Sequence, residues 1–320
     1  MNPLKIDTHQ HFFPKVYVDT IGLETLAAQM PNKQAPDWSP ERAIAMMDAH
    51  GIEEGVLSVS SVPPVPDTPR LLRACNEAAA DLRMRHRGRF GSFASLPLPD
   101  VDASLKEVEF AFDTLQADGV IVFTSYDGRY LGDSLFAPVL QELNRRDAVV
   151  FIHPNDPPYA VPPIAPASVL EFPFETARTA TSLIITGALT AYPNIRFILS
   201  HAGGVLPYLV PRLTLSISMM PGVAERVGDP AAAFRTFYYD TALSAGPSVF
   251  AALAQVGSPE RITFGTDFPM APINAIAAFN SELEQLAPDL RNAVYRHNAE
   301  RLLGRLATPV FTGPGSESHA

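Results

Sequence analysis

Two histidines stand one residue apart near the start of the chain, in Leu4-Lys5-Ile6-Asp7-Thr8-His9-Gln10-His11. The segment reads as a β-strand, and side chains at i and i+2 of a strand point to the same side. His9 and His11 therefore offer two imidazoles to one point, which is the start of a metal site. Three later segments end on residues of matching chemistry. Val149-Val150-Phe151-Ile152 runs into His153, Phe197-Ile198-Leu199-Ser200 into His201, and Phe264-Gly265-Thr266 into Asp267. Taken singly, each has an ordinary explanation: a polar residue satisfied at a strand end, or an aspartate that caps a turn. Together, imidazole nitrogens and a carboxylate oxygen suit a divalent ion, and His beside Asp suits proton transfer near neutral pH.

Whether these residues meet depends on the elements that carry them. Short β-rich runs alternate with helix-length segments along the chain. Eight strands are expected at 4–8, 55–60, 90–96, 119–124, 148–152, 195–200, 236–240 and 262–266. Helical patterns fill the intervals at 40–50, 68–86, 102–117, 134–146, 173–191, 204–220 (interrupted by prolines), 248–256 and, in at least two pieces, 273–304. The helix at 40–50 has Ser39 as N-cap, Pro40 at its first position and Gly51 as its stop. Eightfold strand–helix alternation predicts an α/β fold, a (β/α)8 TIM barrel. The alternative, a doubly wound open sheet, would carry a Gly-rich phosphate turn after the first strand. Here that strand runs into His-Gln-His-Phe-Phe-Pro. A barrel places the C-terminal ends of all its strands on one rim, where such folds carry their active sites. His9, His11, His153, His201 and Asp267 then converge from strands one, five, six and eight.

Residues 12–38 form a long insertion after strand one, containing the only tryptophan, Trp38. Residues 155–172 form a proline-rich one after strand five. Both belong at the mouth of the barrel and could cover a site there. Residues 1–308 read as a single catalytic barrel with no internal repeat and no dividing linker. Residues 309–320 read as a disordered tail.

Hydrophobic residues make up 47% of the 320 positions, enough for a large core. The formal net charge is −10 and no Lys/Arg block occurs, which argues against nucleic acid or an anionic membrane as partner. The single cysteine, Cys75, excludes an intrachain disulfide. It falls in the helical pattern from Leu71 to Leu82 and reads as a core or half-buried residue. No apolar run is long enough to span a membrane, and no basic, apolar leader precedes the first strand. A cytoplasmic location is expected.

The ligand pattern, His-x-His after strand one, His after strands five and six and Asp after strand eight, resembles the amidohydrolase superfamily over residues 4 to about 304. Asp127-Gly128-Arg129-Tyr130-Leu131-Gly132-Asp133, Ser200-His201-Ala202-Gly203-Gly204, Gly265-Thr266-Asp267-Phe268-Pro269 and Asn298-Ala299-Glu300-Arg301-Leu302-Leu303 sharpen the resemblance. They are similar to the branch holding aminocarboxymuconate-semialdehyde, γ-resorcylate and 6-methylsalicylate decarboxylases. The last is nearest, through 126–130 and Glu171-Phe172-Pro173-Phe174-Glu175-Thr176. Binuclear relatives use a carbamylated lysine on strand four. This chain's lysines are Lys5, Lys15, Lys33 and Lys106, none of them on that strand. One divalent ion per chain is therefore expected, Zn²⁺ or alternatively Mn²⁺, on His9, His11, His153 and Asp267. The resemblance makes His201 a catalytic group near the metal rather than an obligatory ligand.

The resemblance implies non-oxidative decarboxylation of a small aromatic or conjugated acid, of the ortho-hydroxybenzoate type. Asp267 is the candidate proton donor to the ring carbon and His201 the candidate base; the two roles could be exchanged. Arg178 is a candidate contact for a carboxylate or phenolate. Phe13, Phe172 and Trp38, with Phe12, are candidate aromatic walls. Asp240, ending strand seven, is a candidate to orient a ligand histidine. His50, His86, His297 and His319 are assigned no role. The rivals are hydrolysis of a lactone or amide at the same metal, a hydratase, or a binding protein that has lost activity. A homo-oligomer, a dimer, is expected from the family alone.

Overall fold

The computed structural model describes residues 4–30, 32–162 and 164–304. The tail expected at 309–320, and the last residues of the expected 1–308 unit, lie outside these. Eight parallel strands follow one another around a barrel in chain order: β1 Lys5–His11, β2 Ile52–Ser58, β3 Phe90–Ser95, β4 Gly119–Phe123, β5 Val149–His153, β6 Arg196–Leu199, β7 Tyr238–Asp240 and β8 Ile262–Thr263. Each strand pairs in parallel with the next. This is the expected (β/α)8 barrel.

The strands are short and buried on both faces, so they read as near-continuous apolar runs such as Val149-Val150-Phe151-Ile152. Helices form the outer layer. Thr68–Arg85 starts on Asp67, whose side chain accepts the Arg70 N–H, and it buries Leu71, Leu72, Cys75, Ala79 and Leu82 along one face. Each such leucine contributes roughly 1.5–3 kcal/mol of hydrophobic stabilisation. Burial pushes the Cys75 thiol up to about 12, so it behaves as a core hydrophobe. The helix expected at 40–50 spans Pro40–Ala49, and the Ser39 side chain caps it.

Three departures from the expected pattern bear on the site. The prolines do not interrupt the helix Leu206–Ser218, because Pro207 sits in the first turn and Pro211 is carried within it. The helix expected from 173 begins at Glu171 and runs to Ile185, so Phe172 belongs to helix rather than to the insertion. Finally, β8 stops at Thr263, where its pairing with β7 ends. The chain then crosses to β1. Thr8 N–H donates to Phe264 O at 2.9 Å, Asp267 N–H to His9 O at 2.9 Å, and His11 N–H to Phe268 O at 2.7 Å. The residues beyond β8 thus close the barrel. Opposite them, β1 slips by one residue against β2, with Asp7 facing Gly55 but Gln10 facing Leu57. Such a bulge re-aims side chains next to a site.

Candidate metal centre

All five chemically expected residues meet at the C-terminal mouth. His9 and His11 leave β1, and His153 is the last residue of β5. His201 and Asp267 sit just beyond β6 and β8, both with left-handed backbone, φ +54° and +60°. Ser200-His201-Ala202-Gly203-Gly204 is a run of positive φ from His201 onward that turns the chain sharply out of the barrel. A Cβ on Gly204 would lie 2.2 Å from the Pro173 carbonyl, so only glycine lets the turn press against the neighbouring helix. Gly265 plays a similar part, since a Cβ there would lie 2.8 Å from the Cβ of His9.

His9, His153, His201 and Asp267 each bring one ligand atom within 4.8 Å of the others. His11 joins them: its Nε2 lies 3.1 Å from His9 Nε2 and 3.1 Å from Asp267 Oδ1. His9 Nε2 lies 3.3 Å from the same oxygen. With metal–ligand bonds of about 2.1 Å, the ligand atoms of a tetrahedral site stand roughly 3.4 Å apart. The spacing among His9, His11 and Asp267 is close to that of a coordination shell.

The outer partners fix the tautomers. Asp240 Oδ2 accepts from His9 Nδ1 at 2.9 Å, and Ser58 faces His11 Nδ1 through Oγ at 3.2 Å and its carbonyl at 3.3 Å. Both imidazoles therefore turn Nε2 inward, the nitrogen a metal ion would take. The other Asp240 oxygen accepts the backbone N–H of His201 at 3.0 Å and of Ala242 at 2.9 Å. Asp240 thus ties His9 to the start of the turn after β6.

Electrostatically the pocket favours a cation. Burial alone would lower His9, but the Asp240 carboxylate, followed by Asp267, raises it to about 10. Burial holds His11 and His153 below the usual histidine range, in the neutral form a metal needs. Burial opposes ionisation of Asp267, yet the imidazoles of His11, His201 and His9 facing it hold its carboxyl well below the usual range. Two buried atoms of this cluster, Asp267 Oδ1 and His153 Nδ1, have no hydrogen-bond partner among the described residues. Orphaned buried polar atoms in an imidazole–carboxylate cluster are what a metal ion would satisfy. The donor set fits a divalent ion.

The weaker candidates are placed unequally. Phe172 edges the His153 ring at 6.4 Å. Phe13 packs on Tyr17, and Trp38 on Phe12, each at 5.9 Å, within the insertion after β1. Arg178 is 51% exposed, pairs with the fully buried Glu175 at 3.2 Å and lies over the Tyr159 ring. Glu175 also accepts from Tyr130 at 3.0 Å and Tyr159 at 2.8 Å, which joins the two stretches 126–130 and 171–176.

Several contacts escape the sequence reading. Phe151 lies 4.8 Å from His9 as an aromatic floor, and Phe123, closing β4, stands 6.2 Å from His153. Ser58 closes β2 beside His11. Inspecting the last residue of every strand, rather than only His and Asp, would have found Phe123 and Ser58.

The sequence pattern of the Amidohydrolase family matches residues 6–305. The 6-methylsalicylic acid decarboxylase of Penicillium expansum is 38% identical over 94% of this chain and 97% of its own. That of Aspergillus aculeatus, acuB, is 37% identical over 97% and 99%. A crystal structure of 2,6-dihydroxybenzoate decarboxylase complexed with 2,6-dihydroxybenzoate matches with a TM-score of 0.75 and 25% identity, covering 95% of this chain and all of that one. The chain belongs to the amidohydrolase family, and these relatives are carboxy-lyases.

Proposed function

We propose that the protein is a metal-dependent, non-oxidative decarboxylase of a small ortho-hydroxybenzoate, with 6-methylsalicylate as the leading substrate. The observation that carries this reading is the buried His/Asp cluster with its orphaned Asp267 Oδ1, in a chain whose near full-length relatives are decarboxylases. Those relatives favour decarboxylation over hydrolysis of a lactone or amide.

One divalent ion per chain, Zn²⁺ or Mn²⁺, would be held by His9, His11, His153 and Asp267, with His201 at its edge. When bound it would supply Lewis-acid chemistry toward the substrate acid. Lys15, Arg129 and Arg178 each pair with a neighbouring carboxylate, so none is a free counter-charge for the acid.

His201 Nε2 and Asp267 Oδ2 face each other at 3.6 Å. Asp267 starts ionised, so its proton must arrive during turnover. His201 takes the proton of the ortho hydroxyl and passes it to Asp267. Asp267 delivers it to the ring carbon bearing the carboxylate. The bond to the carboxylate carbon then breaks, its electron pair returns to the ring, and CO2 leaves. Protonation before cleavage avoids an sp² carbanion. Phe123 and Phe172, whose rings stand 6.2 and 6.4 Å from His153, would line the side of the ring away from the carboxylates. The phenolic proton is replaced from solvent, so the balance is one acid and no oxidant to one arene and one CO2.

The test is CO2 release from a panel of ortho-hydroxybenzoic acids that includes 6-methylsalicylate, with Zn²⁺ or Mn²⁺ added. Silence across the panel from protein holding about one metal per chain would sink the substrate class and leave an acyclic acid or hydrolysis. His201→Ala should retain the metal and lose turnover; full activity would remove His201 from the mechanism.

The same reading includes a cytoplasmic homodimer. No helix among the described residues is long and apolar enough to cross a membrane, and the buried Cys75 suits a reducing compartment. The helix Leu206–Ser218 leaves Tyr208 and Leu215 exposed, with Met219 just beyond it, an apolar stripe suited to a second subunit. Sedimentation at micromolar concentration distinguishes dimer from monomer.

A further inference from the structure

Asp7 takes no part in the chemistry above, yet it is fully buried two residues before His9 and receives four donors. Its Oδ1 accepts the backbone N–H of His9 at 3.0 Å and of Thr266 at 3.1 Å. Its Oδ2 accepts the Thr266 hydroxyl at 2.6 Å and the Gln10 side-chain amide at 3.1 Å. Thr266 Oγ1 in turn accepts the Phe268 N–H at 3.2 Å. The chain of bonds therefore reaches both neighbours of Asp267. Asp267 itself sits at φ +60°, with its N–H on the His9 carbonyl. A non-glycine residue keeps a left-handed backbone when its surroundings hold it there.

Burying a carboxylate is unfavourable, and an apolar seam of the same volume would join β1 to the segment after β8 at less cost. Hydrogen bonds add direction, which apolar contact lacks. Four donors from both sides fix where the 266–268 turn lies along β1 and how it is rotated.

We propose that Asp7 and Thr266 form a clamp that holds the strained turn against β1 and thereby sets the Asp267 carboxylate among the histidines. Both are positioning residues acting through Asp267, and the inference rests on the metal-centre reading above. A displacement of a reacting group by about 1 Å costs on the order of 100-fold in rate. A clamp that merely stitched the barrel shut would affect stability alone.

Thr266→Val removes the hydroxyl at nearly constant volume, and Thr266→Ser keeps it. Two readouts separate the possibilities: the visible absorption of the Co²⁺-loaded protein, which needs no turnover, and kcat against KM for CO2 release. In Thr266→Val the Co²⁺ bands should shift and kcat fall by about 10- to 100-fold, with KM within about threefold. Thr266→Ser should restore both. Asp7→Asn, which would turn an amide N–H toward the Thr266 donors, should follow Thr266→Val. A Thr266→Val protein that melts earlier but keeps wild-type bands and kcat overturns the proposal, as does a Thr266→Ser protein that behaves like the valine variant. If the bands shift as expected while no acid is decarboxylated even by the wild type, the clamp stands and the decarboxylase reading fails.

Discussion

Where β1 meets the segment after β8, with the end of β7 beside them, the buried carboxylates Asp7, Asp240 and Asp267 form a seam; the donors to Asp7 and Asp240 are backbone N–H groups, a hydroxyl, a side-chain amide and an imidazole, and Asp267 faces further imidazoles. Across the mouth, the short antiparallel hairpin after β4 (Ser125–Tyr126 with Arg129–Tyr130), the proline-rich insertion and the helix Glu171–Ile185 also meet on a buried carboxylate, Glu175. Its donors are two phenols and a guanidinium on long side chains that reach toward solvent. Backbone donors move only if strands move, whereas a tyrosine or arginine can swing away by rotation about its own bonds. The seam is thus preorganised and suits proton transfer and metal binding. The opposite wall rests on side chains that can rotate and is the more adaptable of the two.

The contrast breaks most sharply at Asp267. Asp267→Asn should lower kcat by roughly 10³-fold, since a positioned acid or base contributes about 10²–10⁴; stopped assays of CO2 release with metal content measured alongside decide it. A loss below tenfold would move the chemistry off the seam. Asp240→Asn should weaken metal affinity by about 10- to 100-fold, as expected when the partner that orients a ligand histidine is lost. Competition with a chromophoric chelator measures this, and unchanged affinity would leave Asp240 a backbone cap.

A pH series sharpens the comparison further. With His9 raised to about 10 in the metal-free protein, its imidazole is protonated at neutral pH, and an incoming ion must displace that proton. Affinity should therefore rise about tenfold per unit between pH 6.5 and 8.5, with about one proton released per ion. Calorimetry in two buffers of different ionisation enthalpy counts the proton; zero release would mean that the seam does not hold the positive charge. The smallest effect is expected at the adaptable wall. Arg178→Ala should change kcat less than about threefold, because a half-exposed ion pair contributes roughly 1 kcal/mol or less. A large rise in KM in steady-state assays would instead make Arg178 a substrate contact.

The alternation of apolar runs with helical periods determined the barrel, and through it the convergence of His9, His11, His153, His201 and Asp267, because a barrel puts every strand's C-terminal end on one rim. What the residue types left undecided was register and closure. The one-residue bulge in β1 and the early end of β8 are invisible in local pattern. The crossing of the chain after β8 onto β1 brings Asp7 to Thr266, 259 residues away, and closure of the barrel sets Asp240, at the end of β7, against His9, 231 away. Likewise Phe123 and Ser58 look like ordinary strand ends until neighbouring strands align them with His153 and His11. Sequence period follows from backbone geometry within one element, so it reports which residues share a face. The contacts that orient a site are long-range hydrogen bonds that form only once the strands have closed, and tertiary structure alone decided them.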